Sequence, residues 1–95
     1  MHPIYATDRI PPVTRQTIDD YSKHGLQPGH CVRAILAGDL FMAFERADDE
    51  TASAMPAIVA YVRRLPAGAF GSYRAVQDWL DARTAERAAA AGSGR

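Results

Sequence analysis

His24, His30 and Cys31 are the residues whose side chains could ligate a soft metal, and the thiol of Cys31 could also act as a nucleophile. Zinc is held by four ligands, usually in paired short spacings. Here a Pro–Gly turn separates the two histidines, His2 stands far from both, and Cys31 falls on an apolar stripe with Val32, Ile35 and Leu36. A reactive cysteine needs a lowered pKa and access to solvent, and these neighbours argue for packing instead. The pattern predicts two surface histidines and one buried thiol, with no metal and no cofactor.

Asp48, Asp49 and Glu50 are the second constellation. A calcium loop alternates oxygen ligands about a central glycine, and no such alternation is present. Consecutive carboxylates do suit a helix start, where free N–H groups and the helix dipole favour negative charge. One capping residue would suffice there, so the surplus, together with Glu45, is read as an acidic docking surface. Arg63, Arg64 and Arg74, flanking the loop PAGAFG, are the basic counterparts. Surfaces of either sign would contribute on-rate and specificity in binding a charged partner.

The third constellation is the last helix, SYRAVQDWL. It has the capped start and apolar pair of a recognition helix, so that Tyr73, Arg74 and Gln77 would face bases or phosphates. Asp78 and Asp81 lie on the same helix, and the loop before it exceeds the usual three or four residues. DNA binding by a helix-turn-helix is therefore the alternative reading.

Apolar periodicity defines the elements that must position these residues. Pro3, Pro11 and Pro12 predict an extended arm over residues 1–13, lying against the body or exchanged with a partner. Thr14 is placed to cap a helix that buries Ile18 and Tyr21, turns Asp19, Asp20 and Lys23 to water, and ends at Gly25. A second helix ends at Gly38, and Asp39 caps a third whose Leu40, Phe41, Phe44 and Ala47 would line one buried face. A fourth carries Met55, Ile58, Val59, Val62 and Leu65; either it begins near Ser53 with Pro56 in its first turns, or, the preferred reading, a longer helix from Asp49 kinks at Pro56. Phe70 is expected to tuck into the core. Ser72 caps the last helix, with Tyr73, Val76, Trp79 and Leu80 buried and Trp79 bridging several helices. The helical domain covers 14–83, and an Ala-rich tail follows over 84–95. The sum is an all-α, single-domain bundle of about five short helices.

Ninety-five residues with 47% apolar and 23% charged side chains is the balance of a globular domain. Eleven acidic and 11 basic residues cancel, so no overall field draws the chain to nucleic acid or to an anionic membrane. A lone cysteine points to a reducing compartment. With no membrane-length apolar run and no signal-like opening, the chain reads as cytoplasmic.

Taken together, HG-x-x-PG (His24, Gly25, Pro28, Gly29), then AIL-x-x-DL-x-x-A-x-x-RADDE, then GS-x-x-x-V-x-x-WL resembles a group of small proteins encoded by phages and prophages of Proteobacteria. The resemblance spans residues 20–80. The chain departs from it before the last helix, where PAGAFGS stands in place of a Trp or Cys ahead of the Gly–Ser. The resemblance implies a compact helical fold, mobile-element ancestry and no particular activity. Phage proteins of this size commonly bind a host protein, for example as inhibitors of defence systems such as CRISPR effectors. The expectation is a non-enzymatic module that binds a bacterial host protein or complex through its charged surfaces.

Overall fold

Six α-helices and one 3-10 turn make up the described part of the computed structural model, residues 6–93, and no strand occurs among them. The readings made for His2 and Pro3, and the first five residues of the expected arm, lie outside those residues. After the 3-10 turn at Thr7–Arg9 come α1 (Pro12–His24), α2 (His30–Ala37), α3 (Leu40–Arg46), α4 (Asp49–Ser53), α5 (Met55–Val62) and α6 (Tyr73–Ser93). The all-α single domain is as expected. The helix count rises to six because the stretch from Asp49 to Val62 bends at Ala54. Pro56 has no N–H to donate, so it occupies the first turn of α5, where none is needed.

The same reasoning corrects the start of α1. It begins at Pro12, two residues before Thr14, because a proline at the first helical position has the right φ and loses no bond. Ile10 just ahead of it is buried, which fastens the incoming chain to the core. At the other end α6 runs without interruption from Tyr73 past Arg83 to Ser93, so residues 84–93 continue the helix. Alanine carries the highest helix propensity, and residues 84–91 are all exposed.

The centre of the fold is α2, which packs against α1, α3, α5 and α6. Ile18, Tyr21, Leu36, Ile58 and Val76 are its largest fully buried side chains. One side chain of α1 departs from the sequence reading: Asp19 accepts the hydroxyl of Tyr61 from α5 instead of facing water. In the α5–α6 loop Phe70 packs half-buried against the core, and its neighbour Ala69 is fully buried, its carbonyl accepting the Tyr21 hydroxyl at 2.6 Å. Trp79 is half-buried and ties α6 to α1 by donating to the Ser22 carbonyl at 3.1 Å, with the Arg83 guanidinium 4.4 Å above its ring.

Glycines in the left-handed region end both α1 and α2. At Gly38 (φ 79°) its own N–H returns to the Ile35 carbonyl, and the N–H of Asp39 to that of Ala34. At Gly25 (φ 66°) the N–H returns to Tyr21, and α6 crosses so closely that an added Cβ would lie 2.4 Å from Cβ of Arg83.

Candidate docking surface

Asp39 starts α3 as the sequence predicts, its Oδ1 accepting the Met42 N–H at 3.2 Å. Its Oδ2 accepts the Tyr73 hydroxyl at 2.7 Å, so one carboxylate caps α3 and fastens it to α6. Asp39→Ala should therefore lower stability by about 1–2 kcal/mol, seen as a lower urea midpoint at unchanged slope. An unchanged midpoint would show that neither bond stabilises the fold.

The face that α3 turns inward differs from the expected one. Ala43 is fully buried, Met42 and Ala47 are half-buried, and Leu40 and Phe44 are each 50% exposed. Phe41 is 94% exposed. Successive residues of a helix are roughly 100° apart, which sets Phe41 and Glu45, one turn apart, opposite Ala43. The small Ala43 lets α3 approach α2 closely, and its carbonyl accepts the thiol of Cys31 at 3.5 Å. Packing on alanine thus turns the two phenylalanines and Leu40 away from the core.

Leu40 and Phe44 form one wall of an open groove of about 490 Å³, and Met55, Pro56 and Val59 of α5 form the other. Arg63, just past the end of α5, also lines it. Single exposed apolar residues are ordinary, but a contiguous apolar patch with a charged rim marks an interaction site.

The other predicted site residues are distributed around the molecule. Asp48 caps α4, accepting the Thr51 N–H at 2.7 Å, and that backbone bond holds its carboxyl below the usual range. Asp49 and Glu50 are exposed in the first turn of α4, and Glu50 lines a depression with Arg9. Arg64 lies in a different groove from Arg63, among Lys23, Tyr61 and Arg83. Arg74 pairs with Asp78 at 3.5 Å on the surface of α6. The three arginines do not share a depression.

His24 is exposed at the end of α1, and His30 lines a depression with Arg33 and Arg46, cationic company that disfavours a metal ion. No group of three His, Cys, Asp or Glu side chains with metal-binding proximity occurs among the described residues. Burial, and then the charge of Asp48, push the Cys31 thiol up, away from the reactive thiolate. No helix among the described residues is long and apolar enough to cross a membrane.

Sequence reasoning missed the apolar face because it assigned Leu40, Phe41 and Phe44 to the core and passed over Ala43, the residue that is buried. The available signal was LFMAF, which is apolar on all sides of a helix only seven residues long. Comparison of the chain with protein-family models, curated proteins and solved structures finds no match.

Proposed function

We propose that the chain is a non-enzymatic protein-binding module that docks onto a partner protein through the apolar face of α3 and α5. The observation that carries this reading is Phe41, 94% exposed beside a groove walled by Leu40, Phe44, Met55 and Val59. Large aromatic side chains next to an apolar depression are the anchors that dominate protein interfaces. Arg63 at the groove and Glu45, one turn from Phe41 on α3, would set register and orientation, and Asp48, Asp49, Glu50, Arg64 and Arg74 would steer the encounter. The phage resemblance makes a bacterial host protein in the cytoplasm the intended target, with inhibition of a defence complex such as a CRISPR effector as the outcome.

The alternative, a DNA-binding regulator using α6, has less support. Its three candidate readers are all engaged with carboxylates: Tyr73 with Asp39, Arg74 with Asp78, and Gln77 with Asp81 at 2.9 Å. Net charge of zero supplies no non-specific affinity for phosphate.

Affinity capture from a bacterial lysate tests the reading. The wild-type chain should retain a protein that Phe41→Ser and Arg63→Glu both release. Phe41→Ser should leave stability within about 0.5 kcal/mol of wild type, so a loss of capture reports docking. Failure to retain any protein, or equal retention by both variants, would refute the proposal. Specific retardation of DNA with a steep salt dependence, lost in Arg74→Ala, would favour the regulator instead.

A further inference from the structure

Phe41 is a projecting knob, and helix geometry sets it about 60° round α3 from Phe44, which walls the groove, a hole of matching character. We infer that a second copy of this chain occupies the groove, in a two-fold dimer with Phe41 of each copy seated in the groove of the other. The inference rests on the docking reading above and names the first partner of that face.

A two-fold axis brings residue i of one copy to residue j of the other, and j to i, so a dimerising face must complement itself. This face does so in shape and in charge. Glu45 follows Phe41 one turn along α3 on the side opposite Ala43, while Arg63 lines the groove that would receive Phe41. Seating Phe41 carries Glu45 toward the partner copy's Arg63, and the symmetric contact forms at the same time. Both charges are exposed, and neither has an ion-pair partner among the described residues. Zero net charge leaves no overall repulsion between copies.

The areas are compatible with a reversible dimer. Leu40, Phe41 and Phe44 offer each copy on the order of 400 Å² of apolar surface. One side of a standard interface buries about 800 Å². The half-buried Pro56 and Val59 of the groove wall, with the Glu45–Arg63 contacts, supply further area. Any other protein that docks on this face competes with the second copy.

Sedimentation equilibrium over a concentration series, using wild type, Glu45→Arg, Arg63→Glu and Phe41→Ser, tests the dimer. The wild-type mass should rise with concentration from one chain to two. Each charge variant should dissociate about tenfold more readily or worse, because like charges then meet at both symmetric contacts. Phe41→Ser should remain a monomer. An equimolar mixture of Glu45→Arg and Arg63→Glu should regain the dimer, since position 45 of each copy then faces an opposite charge at position 63 of the other. A wild type that stays monomeric throughout, or a mixture as dissociated as its components, would overturn the inference. If the wild type is monomeric yet Phe41→Ser abolishes capture of a bacterial protein, the dimer falls and the docking reading stands. If Phe41→Ser changes neither property, both fall.

Discussion

Gly25→Ala should destabilise the fold by about 3 kcal/mol, the sum of a left-handed backbone and an overpacked contact. The same substitution at Gly38 should cost only about 1 kcal/mol. Both glycines have positive φ, at 66° and 79°, so both substitutions incur the conformational cost. They differ in what the new methyl group meets. At Gly38 the nearest atom is the Gly71 carbonyl oxygen at 3.7 Å, an ordinary contact. At Gly25 it is Cβ of Arg83 at 2.4 Å, with the Arg83 backbone carbonyl carbon at 3.5 Å, so the side chain cannot swing aside and α6 itself must move. For a domain of this size each kcal/mol corresponds to roughly 4–8 °C in Tm, a difference readily read by circular dichroism. In an Arg83→Gly background the overlap is gone, and Gly25→Ala should cost little more than Gly38→Ala does. Equal costs at the two glycines, or no coupling to position 83, would show that the close crossing of α1 and α6 is not a constraint.

Tyr21→Phe carries the second large effect, and its size depends on pH. Tyr21 is fully buried, and its hydroxyl bond to Ala69 holds the α5–α6 loop against α1. Removing it leaves a buried acceptor without that donor, which costs about 1–3 kcal/mol at neutral pH. Burial also raises the Tyr21 pKa from 10.0 to about 12, because the interior disfavours the phenolate. A raised folded-state value means that the stabilisation is complete below pH 10 and is lost as pH rises through about 12. Urea titrations should therefore show the wild type losing its advantage over Tyr21→Phe across that interval. A gap that stays constant from neutral pH to pH 12 would show that the hydroxyl ionises as freely in the folded state as in the unfolded one.

Features set by near neighbours in the chain were legible before the structure. Asp39, Asp48 and Ser72 each accept a backbone N–H three residues on, which is a local signal carried by residue type. Gly25 and Gly38 likewise end the helices they were expected to end. The rotation of α3 was not legible, since Leu40, Phe41, Met42, Ala43 and Phe44 leave several faces equally apolar. The closeness of α2 decides among them, and it favours the smallest residue. Tyr61 reaching Asp19, and Tyr21 reaching Ala69, join residues more than 40 positions apart and leave no periodic trace. The charged candidates were surface residues, as their types predict, but their grouping was out of reach. Arg63 and Arg64 are adjacent in sequence yet line separate grooves.

The long α6 has a consequence for how a single copy moves. The described chain measures 52 × 25 × 22 Å, with a radius of gyration of 14.2 Å where a rounder domain of this length would have about 12 Å. A particle twice as long as it is wide meets more solvent drag than a sphere of equal mass. One copy will therefore tumble slowly in solution and leave a gel-filtration column early, imitating a heavier particle. Only a measurement that weighs the particle, instead of timing it, separates that elongated monomer from a pair.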